Sequence, residues 1–110
     1  MSTRSSIAIR TTDNQIKSIY CHSDGYPSYM GDLLNKFYNT TDKIENILSE
    51  GDCSFLATSI EISRFYNSWR GETTKAAVWS NKEEWLDWAG NSGLEFVYLF
   101  DGSKWDWEAI

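Results

Sequence analysis

The sequence predicts one α+β domain spanning residues 1–110, an antiparallel sheet with two to three helices packed on one face. Three observations lead there. Strand-like runs open and close the chain, while helical runs fill its middle, an order typical of segregated α and β structure. Turn chemistry punctuates the runs at Asp13-Asn14, Asp24-Gly25 and Asp101-Gly102. The 110 residues, 41% apolar and 24% charged, suit one self-sufficient core without a metal or disulfide staple.

Within Ser6 to Arg10, Ile7 and Ile9 share one face of a strand, and Thr11 to Gln15 forms the turn of a hairpin. The return run, Ile16 to His22, carries apolar groups on both faces, which predicts an inner strand. Pro27 suits the first residue of a helix whose stripe comprises Tyr29, Met30, Leu33, Leu34, Phe37 and Tyr38. Asp42 with Glu45 resembles a capping box, Ile44, Ile47 and Leu48 form the inner face of a second helix, and Gly51 suits its left-handed end.

Phe55 to Ile62 is apolar and β-branched enough to predict a strand, and Lys75 to Trp79 predicts another. The aromatics from Ser63 to Glu72 show no clear period. Ser80 to Glu83 reads as a capping box for a helix over 81–89, with Trp85, Leu86, Trp88 and Ala89 before Gly90. Leu94 to Phe100 and Lys104 to Ile110 then form a hairpin around Asp101-Gly102 as a two-residue turn, with Trp105, Trp107 and Ala109 on one face.

The formal charge is −6, and residues 80–110 hold −5 of it, with seven acids against Lys82 and Lys104. No cluster of Lys and Arg exists to neutralise a phosphate backbone, so direct nucleic-acid binding is not expected. An acidic face favours encounter with a basic protein surface. No window approaches the roughly 18 to 20 apolar residues of a membrane span, and the first six residues lack a signal-peptide core, so a cytoplasmic, non-membrane protein is expected. Cys21 and Cys53 are too few and too far apart for a disulfide framework or a zinc knuckle, and read as thiols of a reducing compartment.

His22 and Asp24 lie two apart at a strand end, a spacing open to acid–base pairing; the preferred reading has Asp24 fixing its turn and His22 packing at the strand end. Cys21 should face away from His22, which argues against a Cys–His nucleophile. Metal-ligand spacing and glycine-rich phosphate loops are lacking, so no catalytic residue, metal or cofactor is expected. Arg70, beside Gly71, could hold a phosphate or carboxylate or pair with Glu72 or Asp24. Tyr20, His22, Asp24, Tyr26 and Arg70 together make a candidate ligand site that would stack a base and clamp phosphate.

All six tryptophans fall in the last 42 residues, interleaved with acids. A small core is not expected to hide every indole, since Trp is rarely fully buried. Half-exposed aromatics rimmed by carboxylates have the composition of a protein-binding hot spot. Trp85, Trp88, Trp105 and Trp107 with Glu84, Asp87, Asp106 and Glu108 are therefore the candidate protein-binding residues, although Trp85 and the inward member of each strand pair also suit the core.

Met1-Ser2-Thr3-Arg4, Ile19-Tyr20-Cys21-His22-Ser23, and Asp24-Gly25-Tyr26-Pro27 followed by Gly31 resemble a group of small proteins encoded by phages, prophages and bacteria. The likeness extends through Lys43 to Asp52, Arg70-Gly71-Glu72, and Glu95 to Trp105 with its YLFDGSKW run. It implies a phage or mobile-element accessory protein and brings no catalytic residues with it. By analogy, such a protein is expected to be a non-catalytic inhibitor of a host factor with a basic surface, an anti-CRISPR or other anti-defence protein acting on a nuclease complex in the host cytoplasm. The alternatives are a sponge or small enzyme for a signalling nucleotide, and a homodimer or larger scaffold joined through exposed aromatics.

Overall fold

The fold begins as a hairpin. Strand β1 (Ser5–Arg10) pairs antiparallel with β2 (Ile16–Cys21), and the connecting turn closes through Thr11 N–H to the Gln15 carbonyl with Asn14 left-handed at φ 63°. A computed structural model describes residues 2–110 of the chain; Met1, the first residue of the resemblance, lies outside them. In β1, Ile7, Ala8 and Ile9 are all buried, so both faces of the strand are covered.

Six strands run in the order β4-β3-β2-β1-β6-β7, where β3 is Cys53–Phe55, β4 Arg64–Phe65, β6 Phe96–Phe100 and β7 Trp105–Ala109; β5 (Ala77–Trp79) pairs with β2 off this path. The α+β class holds. The sheet is nevertheless mixed, not antiparallel throughout, because β1 pairs parallel with β6 and β2 meets β3 parallel at Cys21 and Cys53. Parallel neighbours need long crossovers, and residues 22–52 and 11–95 supply them.

Helices cover both faces, not one. On the first face, a wide π turn at Pro27–Gly31 leads into α1 (Asp32–Phe37), and α2 (Thr41–Ser49) follows. Leu33, Leu34, Ile44, Ile47 and Leu48 pack there against Ile7, Ile9, Ile19, Tyr98 and Phe100. On the second face, α4 (Lys82–Asn91) lays Trp85 and Ala89 on Ala8, Ile16, Val97 and Leu99. The cause is legible in β6, whose Val97, Tyr98, Leu99 and Phe100 are all buried; helices on one face alone would leave half of that run in water.

The expected strand over Phe55 to Ile62 does not form beyond Phe55. Side chains take its backbone groups instead: the Tyr29 and Tyr38 hydroxyls donate to the Leu56 and Ala57 carbonyls at 2.8 and 2.6 Å, and Ala57 N–H donates to Ser63 Oγ at 2.7 Å. A short 3₁₀ turn at Ile60–Ile62, strand β4 and helix α3 (Tyr66–Arg70) follow. Of the expected 75–79 strand, Ala77–Trp79 forms. Phe37, placed on the inner stripe by its spacing, stands 43% exposed.

Two caps shift from their predicted places. Thr40, not Asp42, caps α2 by accepting Lys43 N–H at 3.3 Å. Asn81 caps α4 by accepting Glu84 N–H, and Glu84 returns the favour at Ser80 N–H, both at 3.0 Å. In the last hairpin, Asp101 N–H bonds the Lys104 carbonyl, so Gly102-Ser103 form the turn and only Gly102, at φ 109°, is left-handed.

Candidate functional site

Three indoles are tied down by their N–H groups. Trp85 is fully buried and donates to Ser6 Oγ at 3.0 Å; Trp79 donates to Ser18 Oγ and Trp105 to the Tyr38 carbonyl, each at 2.9 Å. Trp85 is therefore a core residue and is withdrawn from the contact surface its sequence context suggested. The core needs it because α4 has to cover Ala8, Ile16 and Leu99, and a buried indole needs an acceptor that Ser6 supplies from the sheet.

Strand β7 sorts its side chains by alternation. Trp105 and Trp107 turn to the first face, against Phe100 and Phe96. Asp106 and Glu108 turn to the α4 side, where Lys82 Nζ meets Glu108 Oε2 at 2.6 Å. The eight predicted residues thus do not form one patch. Trp88, Glu84, Asp87, Asp106 and Glu108 belong to the α4 side of the sheet, whereas Trp107, 50% exposed, projects from the other.

Trp88 gains a partner that the sequence reading left aside. Trp79 packs beside it with ring centroids 5.4 Å apart. Together with Ser18, Tyr20, Asp52, Lys75 and Ala77 they line a pocket of about 170 Å³. Its position follows from the sheet. The outer edge of β2 is divided between β5, along Ile16–Ser18, and β3, at Cys21; Tyr20, in the gap between them, donates its N–H to Asp52 Oδ1 at 3.0 Å. Burial holds the Asp52 carboxyl above the usual range, outweighing the lowering by the Tyr20 N–H. Glu84, one helical turn before Trp88, lies on the same flank of α4. No local motif could have marked Asp52, because its role depends on which strands divide a distant edge.

The five predicted ligand residues are dispersed. The Tyr20 hydroxyl and His22 Nδ1 share a hydrogen bond of 2.6 Å. Asp24, left-handed at φ 57° as its turn requires, lines a separate cavity of about 580 Å³ with Ser23, Ser54, Phe55 and Arg64. Tyr26 is exposed beside Tyr29, and Arg70 stacks on Tyr66 and Trp69 of α3 with Glu72 at 3.7 Å. Cys21 and Cys53 are buried in the first-face core, so no thiol meets His22. Among the described residues, no group of three His, Cys, Asp or Glu is placed to hold a metal, and no helix is long and apolar enough to cross a membrane.

No protein-family model, no curated protein and no solved structure matches this chain.

Proposed function

We propose that the chain is a non-catalytic binding protein whose α4 side engages a basic protein surface, and that it serves as a phage accessory inhibitor of a host defence nuclease. The observation that carries the reading is the pocket at the divided edge of β2, where two indoles share the lining with a half-buried, ion-unpaired carboxylate next to the acidic helix. An incoming Arg or Lys side chain meets there an aromatic face for its cation and a carboxylate already partly desolvated to receive it. Glu83, Glu84, Asp87 and Asp106 are exposed around α4 and β7 and steer the encounter by long-range attraction. The nuclease target rests on the likeness to phage accessory proteins, since a surface built to hold DNA or RNA is basic.

Phage plating on hosts carrying nuclease-based defence tests the function. Expression of the chain should restore plating, and Asp87→Lys with Asp106→Lys should abolish the restoration while leaving the fold intact. Failure to restore plating on every such host, or full activity of the charge-reversed variant, contradicts the reading. A second reading, self-association along β7, is favoured by Trp107 on the outermost strand of the sheet. Light scattering across concentration decides it: a constant monomer mass rules it out.

A further inference from the structure

A different corner of the molecule concentrates cations on aromatic rings. Trp69 is 48% exposed, yet the Arg64 and Arg70 guanidinium carbons lie 4.5 and 4.7 Å from its ring centroid. Arg70 also lies 4.9 Å from the Tyr66 ring, and the Tyr66 and Trp69 rings stack at 6.1 Å. Guanidinium groups held over aromatic rings keep N–H groups available to an anion, and their contact with the rings removes much of the side-chain freedom that anion binding would otherwise cost. In a chain of net charge −6, two positive groups converging on one exposed indole are not a general surface property.

The local fold imposes this arrangement. Arg64 belongs to β4, Tyr66, Trp69 and Arg70 to the five-residue α3, and the turn after α3 is fastened by Asn67, which bonds Thr74 N–H, Thr74 Oγ1, the Thr74 carbonyl and the Glu50 carbonyl at 2.7 to 3.0 Å. Arg64 also reaches the cavity of about 580 Å³ that Asp24, Ser23 and Ser54 line. That volume falls within the range of small-ligand sites. Arg64 and Asp24 share the cavity without pairing, for neither takes part in the three ion pairs of the described residues. The lining thus offers a cation for a phosphate, together with a carboxylate that accepts from sugar hydroxyls and serine hydroxyls that accept from and donate to them.

We infer that Arg64, Arg70 and Trp69, with Asp24 across the adjoining cavity, form a binding site for a nucleoside phosphate. The phosphate takes the place of Glu72, 3.7 Å from Arg70 in the free chain, and bridges Arg70 to Arg64, while the nucleoside enters the cavity with its ribose hydroxyls toward Asp24. The site is separate from the α4 side and retains Asp24 and Arg70 of the predicted ligand residues while dispensing with Tyr20, His22 and Tyr26.

Titration followed by NMR of the Trp69 indole N–H tests it, with AMP, adenosine and inorganic phosphate as separate probes. AMP should shift the Trp69 signal saturably and bind more tightly than either fragment. Arg64→Gln should weaken AMP binding by about tenfold or more, the worth of one charge-assisted contact. Asp24→Asn should weaken AMP binding and leave that of phosphate unchanged. Phosphate binding as tightly as AMP would overturn the nucleoside assignment, and no saturable shift with any probe, or an unaltered affinity in Arg64→Gln, would overturn the site. These side chains are exposed or line an open cavity, so the variants are expected to fold; an unchanged amide spectrum outside residues 22–25 and 62–72 checks that.

Discussion

Gly25 sits where a side chain cannot. A Cβ built there would approach Ser5 Oγ to 2.5 Å and the Thr3 carbonyl to 2.9 Å, while the Gly25 carbonyl accepts the Tyr98 hydroxyl at 2.6 Å. Gly25→Ala should therefore destabilise the fold by about 1–3 kcal/mol, read from urea unfolding. Trp85→Ala should cost about 3–5 kcal/mol in the same measurement, for it empties the centre of the second-face core and leaves Ser6 without its donor. Asp52 behaves oppositely. Its folded-state carboxyl titrates above its unfolded value, so its contribution to stability is present below about pH 4 and is lost as pH rises through the raised folded value. Asp52→Asn keeps an oxygen for the Tyr20 N–H and removes the half-buried charge. It should match or exceed the wild type in unfolding midpoint at neutral pH, with the advantage shrinking toward about pH 4; a variant equally destabilised at both pH values refutes this. By the same logic the wild-type carboxylate costs the fold stability at neutral pH.

Among the elements, α4 was readable because its signals are local. A polar cap, Glu in the first turn and an apolar face all lie within ten residues, and only the cap position moved by one. Asn81→Ala should lower stability by about 1 kcal/mol by freeing Glu84 N–H, as thermal unfolding would report. The first hairpin was readable for the same reason. What stayed hidden was non-local. The parallel pairing of β1 with β6 joins residues some ninety apart, and nothing in either run states the direction of its partner. The end of β3 after Phe55 was equally hidden, because hydroxyls of Tyr29 and Tyr38, far back in the chain, take the carbonyls that a ladder would have used. Helix α3 carried no apolar period at all; cation–aromatic stacking and the Asn67 bonds define it instead.

At the scale of the whole molecule, the charge asymmetry of the sequence becomes a division of surfaces. The acids of α4 and β7 lie on one side of the sheet, and the indoles of β7 turn to the other. Counting indoles alone therefore overstated the acidic aromatic patch, since alternation along β7 separates neighbours in sequence. Charge survived the transfer from sequence to surface better than aromatic content did, because charged side chains stay at the surface wherever their element packs, while indoles follow the core. Raising the salt concentration should slow association with a basic partner markedly more than it speeds dissociation, as surface plasmon resonance would show. The most direct measurement is hydrogen exchange on the complex isolated from host lysate, compared with the free chain. Protection concentrated in α4, β5 and β7 is the predicted result; protection confined to α1 and α2, with α4, β5 and β7 exchanging as in the free chain, would contradict it.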